Sequence, residues 1–97
     1  MKYFMLFYEY GADYMEKRGD LRDPHMAHLK VAAEEGGLQF GGACMDGEPL
    51  AIILFKAESK EPVEQFASAD PYVTSGLCKR WYVREYFMVD REMLLKS

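Results

Sequence analysis

An α+β fold, a four-stranded antiparallel sheet with two helices on one of its faces, is what this sequence predicts, on three observations. Lys2 to Glu9 is a dense run of Tyr, Phe, Met and Leu, the composition of a central strand buried on both faces. Two stretches of helical periodicity each stand between strand-like runs, the first closed by Gly36-Gly37 and the second broken at Asp70-Pro71-Tyr72. An Asp46-Gly47 pair between two apolar runs is a strong short hairpin signal.

The elements follow in order. Gly11 to Asp23 is polar and glycine-punctuated, a long connection with a helical turn expected near Tyr14 to Lys17; connections of that length in small proteins are often functional. Asp23 reads as an N-cap with Pro24 at the first helical position, and the helix should run to about Glu35, where the glycine pair supplies a left-handed C-cap. Met26, Leu29 and Ala33 recur at helical steps and define its expected buried stripe. Leu38 to Cys44 reads as a strand with Leu38 and Phe40 on one face, and Leu50 to Phe55 as its antiparallel return. Ser59 should start the second helix, with Pro62 tolerated in the first turn and Val63, Phe66 and Ala67 on the apolar face. A short turn to Ser75 follows. Lys79 to Val89 is the last strand, with Trp81, Val83 and Phe87 on one face. The tail Asp90 to Ser97 carries Met93, Leu94 and Leu95 with nothing local to bury them.

The order β-α-β-β-α-β is the ferredoxin-like arrangement. It leaves one sheet face bare, here rich in large apolar residues, which predicts a homodimer formed face against face. The 97 residues suit one domain over 1–97, with a core at about 2–89 and a tail at 90–97. Apolar residues at 49% and charged residues at 29% argue for a globular chain rather than a disordered one. Net charge is −4 without a basic run, so nucleic acid is not an expected partner. "KRWYVR" (Lys79 to Arg84) reads as an alternating strand. The apolar start is cut by Glu9, so neither a signal peptide nor a membrane span is expected. Cys44 and Cys78 lack metal-ligand or redox spacing, which fits a cytoplasmic protein with reduced thiols.

Both histidines lie in "LRDPHMAHLK" (Leu21 to Lys30). At about 100° per residue, His25 falls roughly 60° from the centre of the expected apolar stripe and His28 roughly 120°. His25 is then a border residue in the first turn and His28 a solvated one. A half-buried neutral imidazole is what a general base needs; the plain alternative is a histidine that only bonds a neighbour. Two histidines with no third ligand are a weak metal signal.

"RDPHMAHLK" followed by "EEGGLQFGGA", then "FASADPYVTSGL" and "WYVREY", resembles the YciI-like (YCII-related) family across about residues 2 to 88. That resemblance implies a dimeric α/β-barrel assembly of ferredoxin-like chains and a His-Asp dyad as the active site, which carries over onto His25 and Asp70. It also matches Arg22, with Arg18 a companion. Two positions depart from the family pattern: Ala43 stands where Pro often follows Gly42, and Glu85 where Pro is common in the last strand. Asp70 bonded to His25 would fix its tautomer and leave the other ring nitrogen for chemistry; the alternative for Asp70 is a cap on the next turn. Tyr72, with Tyr8 or Tyr10, is a candidate lining residue whose alternative is core packing. Arg22 suits an anionic substrate, or a surface pair with Asp20 or Asp23.

The expected function is a cofactor-independent enzyme doing general acid/base chemistry, isomerisation or elimination such as dehydrohalogenation, on a small cyclic or aromatic metabolite. The alternative is a non-catalytic dimeric ligand-binding or accessory protein. Haem or metal binding is a third, weaker idea taken from the wider superfamily.

Overall fold

The computed structural model of the protein describes residues Met1–Ser97. Its strands are β1 (Lys2–Tyr10), β2 (Leu38–Ala43), β3 (Leu50–Ala57) and β4 (Cys78–Tyr86), joined in one antiparallel sheet in the order β2-β3-β1-β4. The helices are α1 (Tyr14–Lys17), α2 (Arg22–Glu34), α3 (Glu61–Ala69), α4 (Pro71–Thr74) and α5 (Arg91–Lys96), with a 3₁₀ turn at Gly19–Leu21. This is the ferredoxin-like order expected from the sequence. No helix is long and apolar enough to cross a membrane.

β1 is central, and it alternates. Phe4, Leu6, Tyr8 and Tyr10 are buried, while the intervening Tyr3, Met5, Phe7 and Glu9 are half-exposed. The strand is therefore fully buried on the helix-covered face only, and the expectation of two buried faces is corrected. On the covered face, Val63, Phe66 and Ala67 of α3 complete a core with Leu6, Ile53 and Phe55. Full burial of each of these side chains except Ala67 is worth about 1.5–3 kcal/mol. The opposite face carries a stacked Phe7–Tyr82 pair, centroids 5.0 Å apart.

Several local expectations shift. α2 begins at Arg22, running on from the 3₁₀ turn, with Leu21 at the N-cap and no side-chain cap bond. Asp23 thus lies inside the first turn, where Pro24 still costs no hydrogen bond because the first four helical N–H groups have no helical acceptor. α3 begins at Glu61 after Lys60, not at Ser59. Gly36 closes α2 at φ +92°, the left-handed position glycine takes without a Cβ penalty. Leu38 pairs with Phe55 but Phe40 with Leu54, so a bulge at Gln39 sends Leu38 to the core and Phe40 to the open face. β4 ends at Tyr86, leaving Phe87 outside the sheet and 87% exposed. The tail after Asp90 forms α5, all of it exposed.

The largest departure is the rotation of α2. Met26 and Ala33 are exposed, and His25, His28, Leu29 and Ala32 are the residues turned inward. His25 is the one buried residue of the helix, at 7% exposure. The spacing of apolar residues misjudged the inward face because the helix is anchored by polar bonds rather than by Met26.

Candidate functional site

α2 lies against the junction between α3 and α4, and two histidines one turn apart on α2 reach that junction. His25 Nδ1 lies 2.8 Å from Asp70 Oδ1 and 3.0 Å from Oδ2, while His28 Nε2 lies 2.8 Å from the Phe66 carbonyl oxygen. His28, expected in solvent, is half-buried and stacks on the Phe66 ring at 4.2 Å. The Asp70 N–H bonds the Ala67 carbonyl, one step short of the helical ladder. The Phe66 carbonyl is thus one of the orphan acceptors at the end of a helix, and His28 supplies its donor.

Asp70 is wholly buried. The break after α3 puts it in an extended conformation as the N-cap of α4, where its Oδ1 accepts the Tyr72 N–H at 3.0 Å. Its Oδ2 accepts the Tyr8 hydroxyl at 2.7 Å. Both roles weighed for Asp70, turn cap and histidine partner, are therefore filled at once. A carboxylate offers only acceptors, so the nitrogen of His25 that meets it carries the proton, and Nε2 is the free position in the neutral ring. Nε2 has no partner in the chain, yet no buried side-chain polar atom is left unpaired, so Nε2 opens to the adjoining cavity. The imidazole is clamped from one side by the Tyr72 ring, stacked at 3.7 Å and 7°.

That cavity has a volume of about 390 Å³ and lies between α2, the Gly11–Leu21 connection and the sheet; its walls include Tyr10, Tyr14, Arg18, Arg22, His25 and Tyr72. Of the residues singled out in the sequence, the structure brings His25, Arg18, Arg22 and Tyr72 onto the wall. Asp70 stands behind His25. Tyr8 does not line the cavity; it is fully buried on the far side of Asp70. Tyr10 takes the wall position instead, stacked on Tyr14 at 4.1 Å, with the Arg18 guanidinium 5.7 Å from the Tyr14 ring centre.

Burial first, then the neighbouring Asp70, pushes the Tyr8 hydroxyl far above the usual phenol range. It therefore stays a donor to the carboxylate. Burial likewise raises Tyr10, with Tyr14 the next cause, and Tyr72, where Tyr14 again adds to the effect. Two positive guanidiniums line a cavity in which burial keeps the Tyr10 and Tyr72 phenols neutral, which favours an anionic occupant.

Sequence reasoning missed Tyr14 and the sheet floor. Under α2 the sheet presents Gly41, Gly42, Ala43 and Ala51. A Cβ on Gly41 would meet Ile53, itself part of the cavity lining, at 3.4 Å. These small residues put little side-chain volume into the space between helix and sheet and leave it open, and the run "FGGA" was the available signal. No group of three His, Cys, Asp or Glu side chains is placed to hold a metal ion.

The family model of the YCII-related domain matches residues 1–86. Protein YciI of Escherichia coli O6:H1 is 29% identical over 92 residues, covering 86% of this chain and 94% of that protein, and the YciI of Shigella flexneri matches equally. Among solved structures, the chain is similar to 5-chloro-2-hydroxyhydroquinone dehydrochlorinase (TftG) from Burkholderia phenoliruptrix AC1100, in complex with 2,5-dihydroxybenzoquinone. There the TM-score is 0.75 and the identity 20%, over 88% of this chain and 93% of that one. A NIPSNAP family protein from Agrobacterium tumefaciens C58 superposes with TM-score 0.57 and 17% identity, over 92% and 93% of the two chains. These structural likenesses concern the fold.

Proposed function

This chain belongs to the YCII-related domain family, and on that premise we propose that it is a small-molecule enzyme in which His25 and Asp70 perform general acid/base chemistry. The observation that carries the reading is the 2.8 Å His25–Asp70 bond at the wall of a cavity that the free ring nitrogen enters. The substrate class is a small cyclic or aromatic metabolite bearing ionisable hydroxyl or carboxylate groups. The reaction class is isomerisation or elimination, and the dehydrochlorinase fold neighbour supports elimination of a hydrogen halide.

The geometry performs such a step as follows. His25 Nε2 takes a proton from a ring hydroxyl or carbon of the substrate. The pair left on a carbon becomes the new ring double bond, whereas the pair left on a hydroxyl oxygen becomes a carbonyl and shifts the ring π pair into that bond. In either case the halide leaves a saturated ring carbon of the keto tautomer and carries its pair away. Asp70 holds the Nδ1 proton and stabilises the imidazolium that forms. Tyr8 and the Tyr72 N–H keep the carboxylate in place. Arg18 and Arg22 attract the substrate's negative charge, and the Tyr10–Tyr14 stack gives a flat ring an aromatic wall.

The test is halide release from a panel of chlorinated, hydroxylated quinols, compared with the His25→Ala variant. Turnover lost in the variant supports the reading, and undiminished turnover overturns the base assignment. Ligand binding without turnover across the panel would favour the non-catalytic ligand-binding alternative.

The same reading includes a homodimer through the uncovered sheet face, where Met5, Phe7, Phe40 and Tyr82 form an apolar surface of the kind that marks a partner site. Light scattering on the wild type and on Phe7→Lys tests it: a dimer dissociated by the substitution is expected, and a monomeric wild type refutes it.

A further inference from the structure

Tyr10 and Tyr14 line more than the cavity beside His25. A second hollow of about 280 Å³ adjoins the first and shares Tyr10, Tyr14 and Ala43 with it. Its remaining lining is of another chemistry: Met15, Met45, Pro49 and Leu50, with the Cys44 thiol and Gly47, and no charged side chain. The first hollow holds both arginines and His25. The tyrosine stack thus belongs to the walls of two adjoining hollows, one that holds His25 and two cationic side chains and one, an annex, that is apolar. Burial keeps the Tyr10 hydroxyl neutral, so no charge stands at the threshold between them.

From this division we infer that the substrate is amphiphilic: a planar anionic ring held by Arg18, Arg22 and His25, bearing an aliphatic substituent that passes Tyr10 and Tyr14 into the annex lined by Met15, Met45 and Leu50. The inference rests on the proposed function and specifies its substrate. Met15 and Met45 are flexible, polarisable side chains suited to an irregular hydrocarbon. Both are largely exposed without an occupant, at 64% and 97%, so a guest would cover apolar surface that now meets water. Each methylene leaving water for such a lining raises affinity by about three- to fourfold. A small unsubstituted ring leaves the annex unfilled and gains nothing from it.

Two probes separate the chambers: 2,5-dihydroxybenzoquinone, the ligand of the fold neighbour, and its butyl-substituted derivative. Calorimetry on the full chain is expected to give at least about tenfold tighter binding for the butyl compound. The Met15→Ser/Met45→Ser variant should abolish that gain and leave the affinity of the parent ring unchanged. Cys44 supplies a second readout. It is exposed within the annex, whereas Cys78 is buried, so alkylation followed by mass spectrometry should show Cys44 protected by the butyl compound alone. Equal affinities with unprotected Cys44 would overturn the annex while leaving the ring site standing. Binding of neither compound would overturn the ring site as proposed, and the annex with it.

Discussion

His25 and His28 sit one turn apart on the same helix and reach the same neighbouring segment, yet they meet different chemistry. His25 meets a buried carboxylate and turns its second nitrogen to a cavity; His28 meets a backbone carbonyl and an aromatic face. A carbonyl partner uses the ring as a simple donor, and any side chain that donates an N–H at that place would do. A carboxylate partner fixes the tautomer and can hold a proton on Nδ1 through a change of charge. The difference teaches that residue type and helix position do not make a base. The partner does, together with an open second nitrogen.

Substitution can break or sharpen that contrast. The largest effect is expected in turnover: His25→Ala should lower halide release by about 10²–10⁴-fold, whereas His28→Ala should leave it within severalfold, as paired steady-state assays on the two variants would show. Next comes Asp70→Ala, which strands the His25 Nδ1–H, the Tyr8 hydroxyl and the Tyr72 N–H in the interior. Each buried donor left without an acceptor costs about 1–3 kcal/mol, to be read from urea midpoints. His28→Ala leaves one carbonyl without its donor and should cost about 1 kcal/mol; His28→Gln, which restores an N–H, should recover part of it. If both histidine variants were equally inactive, the contrast would fail.

The smallest effect concerns alkaline pH. The Tyr8 phenol is raised by burial and by Asp70, so above about pH 10 the unfolded chain releases this proton while the folded chain keeps it. The folded state then binds more protons, and stability is full below that pH and falls above it. Tyr8→Phe should flatten part of the fall in denaturant midpoint between about pH 9 and 11. Tyr10 and Tyr72, also raised, should retain the rest. An unchanged slope would show that Tyr8 does not contribute in this way.

Much of this architecture is legible in the chain. The aromatic run of β1, the glycine close of α2 and the Asp70-Pro71 break after α3 are local signals, and each lies where local chemistry requires it. What failed did so for non-local reasons. Phe40 changes face because one extra residue bulges against β3, and periodicity read along a single strand carries no sign of that. Tyr8 shares a strand with Tyr10 of the cavity wall, but only packing shows that its hydroxyl goes to Asp70 instead.

By itself the sequence determined the order of elements and the volume of each side chain, because turns, caps and side-chain volume are local properties. The tertiary structure alone decided which way α2 faces. Residues 45 positions apart meet as His25 and Asp70, and a buried carboxylate must find donors wherever the fold offers them. The helix accordingly turns its histidines inward and leaves Met26 at the rim, an outcome that no count of apolar residues along α2 contains.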